Sequence, residues 1–333
     1  MKPLTEFKFG IGPMTKNTVD ACLEFADEYD RPLFLIPSRR QVEWSGGYSN
    51  NWNTRVFAKY VKDEDCGRNI LIKRDHGGPG QGERQDDGLT SLMVDCCFVD
   101  FIHIDPWKRV QSFEEGRDLT LDLIRRCFQR NPEVRYEIGT EEAIFSYDSL
   151  QLAALIDYLR QNLPPEEFAQ IKYAVIQSGT SLSGNSNTGF YDSARLREMI
   201  RVCADNGLLS KEHNGDYLPL SLLKEKFDLG LNCMNIAPEF GQIETQTYLT
   251  AIGADSNLID IFYQICFDSG KWKKWFPIGA VPNKLELINV SGHYVVSTPD
   301  FRTSVKPLLP PDIDKTVKDN IIKKLKELHE IAA

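Results

Sequence analysis

The sequence predicts a closed (β/α)8 barrel of the TIM-barrel type, in the α/β class, extended at its C-terminus by helices. Three observations predict it. Eight short apolar runs end in polar or glycine residues, amphipathic stretches lie between most of them, and no sustained Gly/Pro-rich linker divides the 333 residues.

The apolar runs, in order, are FKFGIGP (7–13), PLFLIPS (32–38), NILIKRDH (69–76), FIHIDPW (101–107), RYEIGTE (135–141), YAVIQSG (173–179), LLSKEHNG (208–215) and NCMNIAPE (232–239). Their length and turn-forming ends suit strands. The helix signatures are DACLEFADEY (20–29), GRDLTLDLIRRCFQR (116–130), SLQLAALIDYLRQ (149–161) and ARLREMIRVCA (194–204), each with apolar residues at helical spacing. Residues 1–245 are expected to form the barrel and residues 246–333 an extension packed on it within the same domain. That extension contains the aromatic and basic run KWKKWF (271–276) and a tail, IIKKLKELHEI (321–331), that reads as an amphipathic helix against the barrel or another subunit.

Composition narrows the class of function. Hydrophobic residues make up 41% and charged residues 26%, which excludes disordered, collagenous and coiled-coil chains. A formal charge of -9 opposes binding to nucleic acid. No apolar run is long enough to span a bilayer, and MKPLTEFKFG has no signal-peptide core. Eight cysteines without a C-x-x-C pair suit reduced, mostly buried thiols. These features point to a cytoplasmic protein.

In such barrels the C-terminal strand ends build the active site. Here they read Asp75-His76, Asp105, Glu141-Glu142, Ser178-Gly179-Thr180, His213-Asn214-Gly215-Asp216 and Asn235. His76 and His213, with Glu141 as carboxylate and Glu137 in reserve on the same inward parity, form a candidate site for Zn²⁺ or another divalent ion. The alternative for each histidine is a hydrogen-bonded core position. Asp75 beside His76 is the candidate general base, or else a partner of Arg74. Asp105 and Glu142 join it as candidate proton-transfer or substrate-contacting carboxylates. His103 reads as a satisfied core histidine, and His293 and His329 as structural or surface residues.

The run QSGTSLSGNSNTG (177–189), with Ser178, Gly179, Thr180 and Gly184, offers backbone N–H groups to a phosphate. The segments NGD (Asn214, Gly215, Asp216) and NIAPE (from Asn235 and Ala237) offer the same. Each is otherwise an ordinary polar loop. Arg39 and Arg40 either attract an anionic substrate or are simply solvated. The segment GGPGQG (77–82) is a closing loop or a flexible turn; its glycine order does not match a dinucleotide fingerprint, so no nucleotide cofactor is expected.

Several segments in this order resemble the accessory-subunit family of tagatose-bisphosphate aldolase, within the class II, metal-dependent ketose-bisphosphate aldolases. They are QVEWSGGY (41–48), DHGGP (75–79), IHID (102–105), IGTE (138–141), EHNGDY (212–217) and WKKW (272–275). The resemblance implies Asp75 as catalytic acid/base, His76 and His213 as zinc ligands, and Asn235-Ile236-Ala237 near a substrate phosphate. It also shows a departure: Ser181 and Leu182 stand where the superfamily has a further zinc histidine after the sixth strand.

Three functions follow. The first is a metal-dependent aldolase that cleaves or forms a carbon–carbon bond in a ketose phosphate through enediolate chemistry. The second is a sugar or sugar-acid C4 epimerase using the same retro-aldol step. The third is a non-catalytic subunit that stabilises a partner aldolase. A small carbohydrate ligand and a homo-oligomer are expected with either enzyme.

Overall fold

The computed structural model describes residues 2–277, 279–280 and 282–332. Ten strands occur among them: β1 Phe9–Ile11, β2 Leu33–Leu35, β3 Ile70–Gly77, β4 Phe101–Ile104, β5 Arg135–Ile138, β6 Ile171–Ile176, β7 Leu182–Ser183, β8 Ser186–Asn187, β9 Leu209–Glu212 and β10 Cys233–Ile236. Eight of them close into a parallel barrel in the order β1-β10-β9-β6-β5-β4-β3-β2. These are the eight runs read from the sequence. The other two, β7 and β8, pair antiparallel as a small hairpin in the loop after β6.

Strand alternation sorts each barrel strand into an outer and an inner face. In β4, Ile102 and Ile104 join the large apolar core beneath the helices, whereas Phe101 belongs to the smaller cluster inside the barrel. That inner cluster comprises Phe7, Phe34, Ile36, Leu71, Phe101, Tyr173 and Cys233. Phe34 lies at its centre, 4.8 Å from Phe7 and edge-on to Phe101 at 5.4 Å. The Tyr173 hydroxyl donates to Leu4 O at 3.0 Å, so the N-terminal turn Leu4–Glu6 seals the bottom. Above this plug sit three buried charged residues, Lys73, Glu137 and Lys211. The histidines lie next, toward the strand C-termini.

Helices follow the strands with ordinary capping chemistry. Thr15, Asn53, Ser112 and Asp192 each accept a backbone N–H at a helix start, and Asp148 with Gln151 forms a full capping box. The helix Pro238–Ile252 follows β10 and runs through position 245. The tail forms the helix Ile313–Ile331. Its stripe Ile313, Val317, Ile321, Leu325 and Leu328 is buried, against the helices Lys16–Glu28 and Pro238–Ile252. No helix of the described residues is long and apolar enough to cross a membrane. All eight cysteines are free thiols, six of them buried.

Candidate functional site

Lys73 on β3 sits inside the barrel, and alternation carries the same face up to Asp75; His76 should then point outward. It does not, because the chain breaks register there. His76 takes a left-handed φ of 49°, and the pairing of β3 with β4 shifts between Arg74 and Gly77. This bulge turns His76 back over the barrel mouth beside Asp75. Gly78 makes the turn possible, since a Cβ there would lie 2.5 Å from Asp105 O.

β4 contributes His103 by simple alternation from Phe101. The chain after β9 contributes His213. The three imidazoles form a nearly equilateral triangle: His76 lies 5.1 Å from His103, and His213 lies 5.0 Å from each, centroid to centroid. One nitrogen of each ring lies within 4.8 Å of one from each of the others.

Every ring is anchored by one nitrogen. His76 Nδ1 meets Asp105 Oδ2 at 2.5 Å, His103 Nε2 donates to Gly139 O at 2.9 Å, and His213 Nε2 donates to Glu137 Oε1 at 2.8 Å. The opposite nitrogens face one carboxylate. Asp75 lies 3.6 Å from His76 Nε2, 3.9 Å from His103 Nδ1 and 3.8 Å from His213 Nδ1. Asn235 Nδ2 donates to Asp75 Oδ1 at 3.2 Å and holds it in place. His103 Nδ1 also accepts the His76 N–H at 3.3 Å. It is a buried, hydrogen-bonded core histidine, as expected, and at the same time the third ring of the cluster.

Electrostatics divide the three rings. Burial pushes His103 well below the usual imidazole range, helped by the neighbouring His213 and His76. Burial likewise lowers His213 to about 4, although Asp75 pulls the other way. Burial opposes the charge on His76 too, but Asp75 and the Asp105 hydrogen bond raise it to about 10. Burial alone would raise Asp75; the fields of His76, His213, Lys211 and Lys73 instead hold it below the ordinary carboxylate range. The result is two neutral imidazoles, one imidazolium and one carboxylate around a shared space. Nitrogen donors of this kind suit zinc and similar divalent ions, and a cation would take the place of the His76 proton.

The remaining expected residues divide by position. Glu141 accepts from Asn214 Nδ2 at 2.6 Å. It lines a cavity of about 50 Å³ together with Asp75, His76, His213, Asp216 and Asn235. Glu137 lies beneath the rings, in contact with Lys73 Nζ and 3.4 Å from Lys211 Nζ. Glu142 points away and pairs with Arg195 at 2.8 Å. Asp105 supports His76 and also accepts from Gln81 Nε2 at 2.9 Å.

The expected phosphate-binding residues are similarly divided. Ser178 turns outward, donating to Glu212 Oε1 and accepting from Lys226 Nζ, each at 2.6 Å. Gly179 has a left-handed φ of 95°, and Thr180 Oγ1 donates to His213 O at 2.9 Å. Gly184 sits in the β7–β8 turn, where its carbonyl accepts from Gln242 Nε2 at 3.4 Å. Gly215 packs on Met234, and Asp216 accepts the Ala237 and Glu239 N–H groups at 2.9 and 2.8 Å. Arg39 is consumed by Glu43 and Asp86.

The sequence reading passed over the contribution of His103 to the cluster. The inward parity of Phe101, His103 and Asp105 was the available signal.

No family model and no curated protein sequence matches the chain. Solved structures do. A probable tagatose 6 phosphate kinase from Sinorhizobium meliloti 1021 superposes with a TM-score of 0.79 at 15% identity, over 98% of this chain and all (100%) of that one. A fructose-bisphosphate aldolase from Campylobacter jejuni gives 0.59 at 14% identity, over 98% and 90%. The YdjI aldolase of Escherichia coli K12 gives 0.56 at 11% identity, over 97% and 91%. At these identities the likeness is one of fold: the chain has the barrel that these aldolases have, in agreement with the resemblance in its sequence.

Proposed function

We propose that the chain is a metal-dependent enzyme that breaks or forms a carbon–carbon bond in a sugar, in the manner of an aldolase. The observation that carries this reading is the convergence of three imidazoles on one ionised carboxylate at the barrel mouth. His76, His103 and His213 would hold a divalent cation, zinc or a similar ion. When bound, such an ion supplies Lewis-acid polarisation of adjacent sugar oxygens.

The chain's own groups do the rest. Asp105, Gly139 O and Glu137 fix the outer nitrogens of the rings, so that the inner ones are presented together. Asp75 stays ionised against its burial chiefly through the field of the His76 imidazolium. It accepts a proton from a sugar hydroxyl as the adjacent carbon–carbon bond breaks, and returns a proton to the product. Asn235 Nδ2 donates to Asp75 Oδ1 and keeps that carboxylate aimed. The fold shared with known aldolases supports the same reading.

The test is elemental analysis of the purified chain followed by incubation with a panel of ketose phosphates and keto sugar acids. We expect one divalent ion per chain and release of a three-carbon product; if the aldehyde is retained and re-added, the C4 epimer accumulates instead, so both are followed. His76→Ala, His103→Ala and His213→Ala should each lose the ion. Full occupancy in those variants would sink the ligand assignment. A metal-free chain, active only when a separate aldolase is added, would be a stabilising subunit.

A further inference from the structure

The mouth of the barrel is electrostatically two-sided. On one side, Ala237 and Pro238 at the N-terminus of the helix Pro238–Ile252 line the cavity, and helix-start amides are the groups with which many barrels hold a substrate phosphate. In this chain those amides are already taken. Asp216, 1% exposed, accepts Ala237 N–H at 2.9 Å and Glu239 N–H at 2.8 Å through the same oxygen, Oδ1. Glu239 Oε2 in turn accepts the Tyr217 N–H at 2.9 Å, and Glu141 lines the cavity alongside Asp216. Glu239 is paired with Lys324 at 2.6 Å and stands outside the cavity, and burial raises Asp216 to about 7. What this side presents is therefore a pair of carboxyl groups, Asp216 and Glu141, that accept hydrogen bonds from hydroxyls and leave no free amide for a phosphate.

On the other side the charge is reversed. Ser38 bridges to Asp75 across the β2–β3 rim and lines a neighbouring cavity of about 90 Å³ with Arg40, Lys274 and the ion pair Lys271–Glu83, which leaves Arg40 and Lys274 as the excess positive charge. Lys108 lies close enough to feel both Arg40 and Glu141.

We propose that Asp216 is a specificity-determining residue: by filling the amide cradle at the start of the helix Pro238–Ile252, it excludes phosphate there and selects a sugar that presents a hydroxyl at that end. The substrate class is a ketose carrying at most one terminal anion, a monophosphate or a carboxylate, and not a bisphosphate. This rests on the sugar-aldolase reading, but its test needs neither metal nor turnover.

The probe is inorganic phosphate, titrated into the metal-free chain while the amide resonances of Ala237 and Glu239 are followed by NMR. In the wild-type chain these two resonances should not move. In Asp216→Ala they should move with phosphate, and the variant should bind it at least tenfold more tightly than the wild type. Asp216→Asn keeps an oxygen in the cradle and should leave the two resonances unmoved. Titration with acetate separates the two anion sources on the opposite rim: binding of acetate, phosphate or both that is lost in Arg40→Gln/Lys274→Gln fits the proposal. Phosphate shifting Ala237 and Glu239 in the wild type would overturn it, whether or not the mutants fold. So would an Asp216→Ala chain that folds and gains no phosphate affinity. Failure of the metal reading appears separately, as a metal-free chain without turnover.

Discussion

His76 is the residue on which the chemistry turns, because two opposed demands meet in its ring. With Asp75 on one nitrogen and Asp105 on the other, it holds a proton up to about pH 10, whereas His103 and His213 are neutral at neutral pH. A cation entering the triangle must displace that proton. Zinc titrations at pH 7.5 in buffers of different ionisation enthalpy should show release of close to one proton per ion. Asp105→Asn keeps the shape and removes the charge that orients His76. Its metal affinity should fall by about 10- to 100-fold, the range for loss of a carboxylate behind a ligating histidine, as read by competition with a chelator. Asp75→Asn should retain the ion and lose at least about 100-fold in kcat, since only the proton transfer is removed. Loss of metal in that variant would make Asp75 a ligand rather than a base.

At the scale of elements, the tail helix Ile313–Ile331 covers the outside of the barrel. Leu325 is fully buried in its stripe, so Leu325→Ala should cost about 2–5 kcal/mol in denaturant unfolding. His329 on the same helix sits between Phe9 and Phe25, at 5.3 and 5.1 Å from their rings. Burial lowers it to about 4, with Arg31 adding to the effect. Its unfolded value is 6.5, so the unfolded chain binds the extra proton first. Its contribution is therefore intact above pH 6.5 and is lost as the pH falls toward 4. His329→Phe should flatten the decline of Tm between those two values; an unchanged slope would mean that the ring is solvated.

At the scale of the whole molecule, the tail and the barrel share one apolar core: Phe9 and Val19 belong to the same cluster as Val317 and Leu325. We expect a single cooperative thermal transition. A chain cut after residue 252 removes the buried stripe of the helix Ile313–Ile331, and it should be recovered aggregated or partly unfolded. Two separate transitions in the full chain would instead divide the barrel from its extension.

The eight strands were legible because each is a short run whose inner and outer positions are both apolar low in the barrel and polar at its C-terminal end, as in FIHID and NILIKRDH. The pair Asp75-His76 and the distant His213 were legible for the same reason: strand ends in a barrel converge wherever they lie in the chain. What the sequence could not decide was which polar groups would be consumed by their neighbours. Ser178 and Glu142 have the composition of site residues, yet Lys226 with Glu212 takes one and Arg195 takes the other. Asp216 stands in a glycine-flanked loop that suggests a phosphate site, and only the packing of that loop on the helix Pro238–Ile252 gives its carboxylate the amides instead. His103 satisfies every expectation of a core residue, and becomes the third ring because the bulge at His76 swings a second imidazole toward it. Periodicity and turn chemistry are local and survive in the one-dimensional record, whereas hydrogen-bond partnership and charge pairing depend on distances that closure of the barrel alone creates.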